Sequence, residues 1–334
     1  MTTVLLEGLG AVGIRAARQL IETPGVDSLL ISGRSSARAA EVAASLGERA
    51  AAVELHPDDR LPTGVAGVAV ALPPQLVASR AERALAAGVP FAASADDAEA
   101  IDAVLELDEP ARASGVLISP ACGLAPGLAD VLARHAAGAL DAVDEVHIAR
   151  AGSAGPASTA TLRRSLRAPV NEWRDGQWQE ERHPNRELVW FPDPIGAREC
   201  APVQVGAALL VRAFPSAHRV TMRLAEPLVR RFTWPARRGL DEAWGSTRVE
   251  VWGWRGQTRE SMVYGVIDRT AIAAGTVLAV ATARLAGALP GLAARNGPTA
   301  GVHGLAALVE PVPFLAELAR RGVKAAVFEG VAVA

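Results

Sequence analysis

Along the first 120 residues, short apolar runs alternate with stretches whose apolar positions recur at helical spacing. Val4-Leu5-Leu6, Ser28–Ser32, Ala51–Leu55, Gly67–Leu72, Pro90–Ser94 and Val116–Ser119 read as strands, and Ile14–Ile21, Ala37–Leu46 and Gln75–Ala87 as helices between them. Thr23-Pro24-Gly25, Gly47 and Gly88 stop the helices, Pro73-Pro74 opens the third, and Pro110 interrupts the helical material before the sixth strand. Strands and helices taken in turn with short connections predict an α/β fold built on a doubly wound parallel sheet.

From about residue 140 the pattern lengthens. Asp144–Arg150, Leu188–Phe191, Arg219–Leu224, Arg248–Trp254 and Arg259–Ile267 read as longer strands, the last two joined by a hairpin turn around Arg255-Gly256. The tryptophans and the single tyrosine, Tyr264, lie between residues 173 and 264, which suits a mostly antiparallel sheet walling a cleft. The tail returns to helices. Ala271–Leu289 is nearly all apolar, yet Thr276, Thr282 and Arg284 favour a buried helix over a membrane span, and Phe314–Arg321 is amphipathic.

Composition narrows the function classes. A length of 334 residues allows two cores, and a formal net charge of −2 gives no reason to expect a nucleic-acid or membrane partner. Lys324 is the only lysine, which removes most mechanisms that need a catalytic lysine. Cys122 and Cys200 form no disulfide framework and fit a reducing cytoplasm. Met-Thr-Thr runs directly into the first strand and leaves no room for a signal peptide, so a cytoplasmic location is expected. Scattered His, Asp and Glu show no metal-ligand spacing, and no metal is expected.

The chemistry begins at Gly8-x-Gly10-x-x-Gly13, set between a strand and a helix. In that context Gly8 permits the tight turn, Gly10 lets a pyrophosphate approach the backbone, and Gly13 lets the helix pack on its strand. The helix amino terminus then faces the phosphates. The second strand ends Ser32-Gly33-Arg34-Ser35-Ser36, without the acid that binds a ribose 2′-hydroxyl. An arginine among hydroxyls suits a 2′-phosphate, so NADP(H) is expected over NAD(H); a solvated Arg34 is the alternative. After the sixth strand, Ser119-Pro-Ala-Cys-Gly-Leu-Ala-Pro-Gly-Leu-Ala-Asp130 precedes a helix at Val131–Ala137, with Pro126 suited to a first helical turn and the helix amino terminus aimed into the cleft.

The glycine motif, Gly33-Arg34-Ser35, Cys122-Gly-x-Ala-Pro-Gly127, Trp190-Phe-Pro-Asp-Pro-x-Gly196 and Gly301-Val-His303 together resemble the saccharopine dehydrogenase family, in its bacterial lysine dehydrogenase-like branch. The resemblance is strong through residue 130 and looser beyond. It implies a Rossmann domain at 1–125, an α+β substrate and dimerisation domain at 126–270, and a helical segment at 271–334 that returns to the first domain. It further implies a homodimeric, nicotinamide-dependent oxidoreductase acting at the carbon–nitrogen bond of an amino-acid-like or amine substrate. Gly8, Gly10, Ala11, Val12 and Gly13 would hold the pyrophosphate, and Arg34 and Ser35, with Ser32 beside them, the adenosine ribose. Leu72, Pro73 and Ser94 would line the ribose and nicotinamide, and Cys122 and Gly123 would approach the reactive ring. The chain departs from the family pattern at Ala151-Gly-Ser-Ala-Gly-Pro156 and in the arginine-rich helix Thr161–Arg167 that follows, so lysine, saccharopine and polyamines are not assured as substrates.

Further candidates each carry a structural alternative. Cys122 is a site-lining residue or a small buried hydrophobe. Asp96 enters the site or, like Asp97, caps the next helix. His135 is a proton donor or a core-edge histidine. Arg163, Arg164 and Arg223 suit substrate carboxylates or form solvated faces. A nucleotide-binding sensor without turnover and a redox-neutral aminoalkyl transferase with recycled NAD are the competing functions.

Overall fold

The apolar runs of the amino-terminal third fold into β1 (Thr3–Glu7), β2 (Ser28–Ser32), β3 (Ala50–Ala52), β4 (Val65–Val70), β5 (Phe91–Ala93) and β6 (Leu117–Ser119). The computed structural model describes residues 1–56, 58–180, 185–226 and 244–328. Between the strands run α1 (Ala11–Ile21), α2 (Ser36–Leu46), α3 (Val77–Ala86), α4 (Ala98–Leu105) and α5 (Asp108–Ala113). The strands pair in parallel in the order β6-β5-β4-β1-β2-β3, so this is the doubly wound sheet of an α/β fold. Pro73-Pro74 opens a single 3-10 turn before α3, since the first proline has no N–H to give and the second sits at a helix start.

The next helix, α6 (Leu128–Ala137), starts three residues earlier than its apolar spacing suggests. Gly127 is its N-cap and has a φ of 127°, a conformation open to glycine, and its N–H donates to Asp130 Oδ2 at 3.2 Å. Pro126 therefore lies ahead of the helix, outside its first turn. Leu128 to Ala133 are all buried, which makes α6 a core helix between the two sheets.

The second sheet is mixed. It contains β7 (Ala142–Ala151), β8 (Asn171–Arg174), β9 (Gln177–Glu180), β10 (Glu187–Phe191), β11 (Gly196–Val203), β12 (Arg219–Ala225), β13 (Trp244–Arg255) and β14 (Thr258–Arg269). β7 and β12 are parallel, while β13 pairs antiparallel with both β7 and β14. Arg255 faces Thr258 across the hairpin, and Gly256 takes a φ of 58° in the turn. The arginine-rich helix α7 (Pro156–Ser165) begins well before residue 161 because Pro156 occupies its first turn behind Gly155. A short α8 (Ala207–Ala213) leads into β12.

After the hairpin, α9 (Thr270–Leu285) is buried along nearly its whole length. It lies against α1 so closely that a Cβ on Gly275 would stand 2.7 Å from the Val12 carbonyl oxygen. β15 (Gly301–Val302) then adds in parallel to β6 and completes a seven-stranded first sheet. Beyond α10 (Leu305–Leu308) and α11 (Pro311–Arg320), β16 (Ala325–Phe328) pairs with β14. The tail, read from sequence as returning to the first domain, thus joins both sheets; residues 329–334 lie outside the described residues. One apolar cluster runs from α1, α2 and α9 through α6 to Val146, Ile148, Val249 and Val251 on the inner face of the second sheet. Apart from Trp173, which packs against that cluster, the described tryptophans do not wall that inner face. Trp252 alternates with Val249 and Val251 onto the outer face, and Trp178, Trp190, Trp244 and Trp254 are exposed. Trp234 lies outside the described residues.

Candidate active site

The turns that follow β1, β2, β4, β5 and β6 all leave the carboxyl edge of the first sheet, where open α/β sheets bind ligands. The β1 turn is drawn tight by neighbouring backbone. Gly8 N–H donates to Ser32 O at 3.0 Å, and Ala71 N–H donates to Glu7 O at 2.9 Å. Gly8 has a φ of 104°, and a Cβ there would stand 2.3 Å from Ala71 O; one on Gly13 would stand 1.9 Å from Gly8 O. Gly10 differs. It is exposed, it is the N-cap of α1, and a Cβ there would meet nothing within 4 Å. The protein does not need the bare backbone at Gly10 for its own packing, and a pyrophosphate lying over the turn would. The half-buried Ala11 and Val12 follow at the helix start. These residues fit a dinucleotide.

Ser32 is buried at the end of β2, while Arg34 is exposed and makes no hydrogen bond or ion pair among the described residues. Ser35 caps α2 by accepting from Arg38 N–H at 3.2 Å. Leu72 is half-buried and Pro73 exposed beyond β4. Ser94 continues the edge beyond β5, its N–H donating to Val70 O at 3.0 Å.

The two acids after β5 divide their work. Asp97 is the N-cap of α4: its Oδ1 accepts from Ala100 N–H at 3.0 Å, and its Oδ2 meets Arg164 at 3.1 Å. Arg164 is thereby an exposed partner of a capping acid. Asp96 points the other way. Its Oδ2 accepts from Ser158 Oγ at 2.6 Å and from Arg150 Nη2 at 3.4 Å, and its Oδ1 makes no hydrogen bond among the described residues. Arg150 also donates from Nη1 to Ala125 O at 2.7 Å, tying β7 to the turn after β6. Neither Arg150 nor Ser158 was among the sequence candidates. Arg150 had a signal: in Val146-His-Ile-Ala-Arg150 the alternation places a cation on the same face as two apolar residues.

Cys122 lies deeper than the sequence motif suggests. It is fully buried, its N–H donates to Ala93 O at 2.7 Å, and its thiol donates to Ser119 Oγ at 3.2 Å. Burial pushes the thiol up to about 12, so it stays neutral and is a poor nucleophile or proton carrier. Gly123 is buried as well, its N–H closing the turn onto Pro126 O at 3.1 Å. Beneath the turn, Asp130 is 1% exposed and burial pushes its carboxyl up to about 7.

Two of the other sequence candidates sit elsewhere, and one is a half-buried cation on α7. His135 is in the last turn of α6, about 10 Å along the axis from Leu128, and stands edge-on to Tyr264 with ring centroids 5.4 Å apart. Helical spacing gave its face but not its distance from the cleft. Arg223 alternates with Met222 and Leu224 onto the outer face of the second sheet, where it donates to Asn185 O and Glu187 beside a hollow of about 230 Å³. Arg163, half-buried on α7, makes no hydrogen bond or ion pair among the described residues. A residue the motif did not point to is Glu7, 4% exposed at the end of β1 and ion-paired to Arg80 at 3.0 Å and to Arg83.

No family model matches the chain. Among solved structures it is similar to the apo saccharopine dehydrogenase (L-Glu forming) of Saccharomyces cerevisiae, at a TM-score of 0.71 and 15% identity, covering 98% of this chain and 100% of that one. It is also similar to the amine dehydrogenase of Mycobacterium smegmatis, at a TM-score of 0.53 and 10% identity, covering 92% of this chain and 96% of that one. An engineered D-amino acid dehydrogenase bound to NADP+ superposes at a TM-score of 0.52 and 14% identity, covering 96% of this chain and 99% of that one. With its parallel nucleotide-type sheet, core helix and mixed second sheet in this order, the chain has a saccharopine dehydrogenase-like fold.

Proposed function

We propose that this protein is a nicotinamide-dependent oxidoreductase acting at the carbon–nitrogen bond of an amine or amino-acid-like substrate, with NADP(H) the favoured cofactor. The observation that carries the reading is one edge of the first sheet that holds both the open glycine turn at Gly10, after β1, and the oriented carboxylate of Asp96, after β5. The likeness to proteins named saccharopine dehydrogenase, amine dehydrogenase and D-amino acid dehydrogenase supports the same reaction class.

Gly8 to Gly13 and the amino terminus of α1 would hold the pyrophosphate through backbone N–H groups and the helix dipole. Ser32, Arg34 and Ser35 would hold the ribose and its 2′-phosphate. Leu72, Pro73 and Ser94 would line the path to the nicotinamide. Bound there, a nicotinamide supplies a hydride acceptor or donor. The chain itself must place the substrate nitrogen and manage its proton. Asp96 suits that role, because Ser158 and Arg150 fix one carboxylate oxygen and leave Oδ1 to accept a proton from, or return it to, the substrate nitrogen.

Isothermal titration of the purified protein with NADPH and NADH tests the reading. Binding of NADPH, tighter than NADH, is the expected result; binding of neither overturns it.

A further inference from the structure

The outer face of the second sheet, turned away from α6, takes no part in the proposed reaction. Register there places Arg223 of β12, Ala149 of β7 and Arg248 of β13 in one row across three neighbouring strands. Neighbouring strands lie about 4.8 Å apart, so the two arginine backbones stand roughly 10 Å apart with only a methyl group between them. The sheet also curls over this row. Three strands separate β10 from β13 in sheet order, yet Glu187 and Val189 of β10 line the same hollow of about 230 Å³ as Arg248, Glu250 and Trp252 of β13.

The floor and the walls of the hollow differ. Ala149 belongs to a small buried cluster with Ala151, Phe191, Cys200 and Ala225, on which Val189 packs. The walls are charged, with Arg219, Arg223 and Arg248 set against Glu187 and Glu250. The cations are in excess and loosely held. The side chain of Arg223 is 8% exposed, while that of its acid, Glu187, is 54% exposed. Arg219 lies 3.5 Å from Glu172, which is held more closely by Arg174 at 2.7 Å. Arg248 gives Nε and Nη2 to Glu250 and leaves Nη1 without an acceptor among the described residues. A guanidinium whose carboxylate stands in solvent gives up that partner for another anion at little cost, because the released acid regains water.

We propose that Arg223 and Arg248, facing each other over Ala149, form a site for a phosphate-sized oxyanion, either the free ion or the phosphoryl group of a small molecule. The paired N–H donors of a guanidinium match phosphate oxygens, and two such groups meet the ion from opposite sides. A volume of about 230 Å³ falls below the roughly 300–1,000 Å³ of sites for drug-sized ligands, which suits a compact ion. The site lies across the second sheet from α6. It neither rests on the proposed function nor competes with a nucleotide at the β1 turn.

The test titrates wild-type protein with inorganic phosphate and, separately, with glycerol 3-phosphate, each with and without NADPH. At least one binds with a Kd below about 1 mM, and NADPH leaves that Kd unchanged. Which of the two binds more tightly tells the free ion from the phosphoryl group. Arg223→Gln and Arg248→Gln each weaken it about ten- to a hundredfold, as for loss of a charge-assisted hydrogen bond. Arg248→Gln is mild for the fold, because Glu250 keeps the Trp252 Nε1 donor at 2.7 Å. Ala149→Leu retains every charge and fills the floor of the hollow, so binding is lost; if that variant does not fold, Arg248→Gln decides alone. Failure of both ligands to bind, or an unchanged affinity in Arg248→Gln, overturns the site. Affinity lost in Arg34→Ala and kept in Arg248→Gln places the ion at the nucleotide turn and overturns it as well. So does a change of oligomeric state in the arginine variants at unaltered phosphate affinity, which assigns the pair to a protein contact.

Discussion

Arg34 carries the sharpest single-residue consequence. It stands exposed after β2 with no protein partner among the described residues, so its replacement disturbs little of the fold. Under the proposed role, Arg34→Ala removes a charge-assisted bond to the 2′-phosphate of about 1.5–3 kcal/mol, raising the Kd for NADPH roughly ten- to a hundredfold. The Kd for NADH, which lacks that phosphate, stays nearly constant; equal weakening of both would remove Arg34 from the site. Asp130 is the opposite case, a residue with no exposure and a large effect on the fold. Burial holds its carboxyl at about 7, above the ordinary 3.8. Below pH 4 it is protonated folded and unfolded alike. From pH 4 to 7 the unfolded chain ionises first, so stability falls across that window and levels off above it. Asp130→Asn keeps an acceptor for Gly127 N–H and removes the titration. The variant loses less stability than wild type between pH 4 and 7, and at pH 8 it is more stable by on the order of 2 kcal/mol. Denaturant midpoints measured across pH 4–8 decide this, with parallel profiles the contrary result.

At the scale of an element, the β1–α1 turn separates glycines that serve packing from one that faces open space. A Cβ on Gly13 would overlap the carbonyl oxygen of Gly8, so Gly13→Ala forces helix and turn apart and destabilises by about 1–3 kcal/mol. Gly10→Ala meets no protein atom and costs under about 1 kcal/mol as an N-cap change, yet it puts a methyl group where a pyrophosphate would lie. Thermal unfolding beside cofactor titration separates the two: Gly13→Ala lowers Tm, and Gly10→Ala lowers affinity at nearly unchanged Tm. Motif spacing made all three glycines legible, because the turn is local. The split between Asp96 and Asp97 was not legible in the same way. Both follow β5, and only the position of α7, more than 60 residues on in the chain, sends Ser158 to one and Arg164 to the other.

For the whole molecule, α9 and β15 carry the chain back from the second sheet to the first. Gly275 of α9 lies against Val12, Arg15 and Ala16 of α1, with space for no side chain. Gly275→Val pushes the two helices apart. The expected loss is about 1–3 kcal/mol of stability, with a weaker NADPH affinity if α1 opens at the proposed phosphate turn. Urea midpoints and titration on the same samples check it, and lowered stability with unaltered NADPH affinity would show that α9 supports the fold without bearing on the turn. No helix among the described residues is long and apolar enough to cross a membrane, and the apolar length of α9 is explained by its burial in this junction.

The alternation of strands and helices over the first 120 residues, the glycine turn and the exposed arginine after β2 were determined by the sequence itself. Residue period and turn chemistry act over a few neighbours and need no distant partner. Tertiary structure alone decided the rest. It buried Cys122 beneath its own turn, set His135 edge-on to Tyr264, turned Trp252 and Arg223 outward, and placed β15 and β16 in different sheets. It also brought Arg150 to Asp96 and Ala125 and set Arg223 and Arg248 on either side of Ala149. Each of these depends on which surfaces meet across tens of residues of chain, and burial, ion pairing and shifted acidity are properties of that meeting.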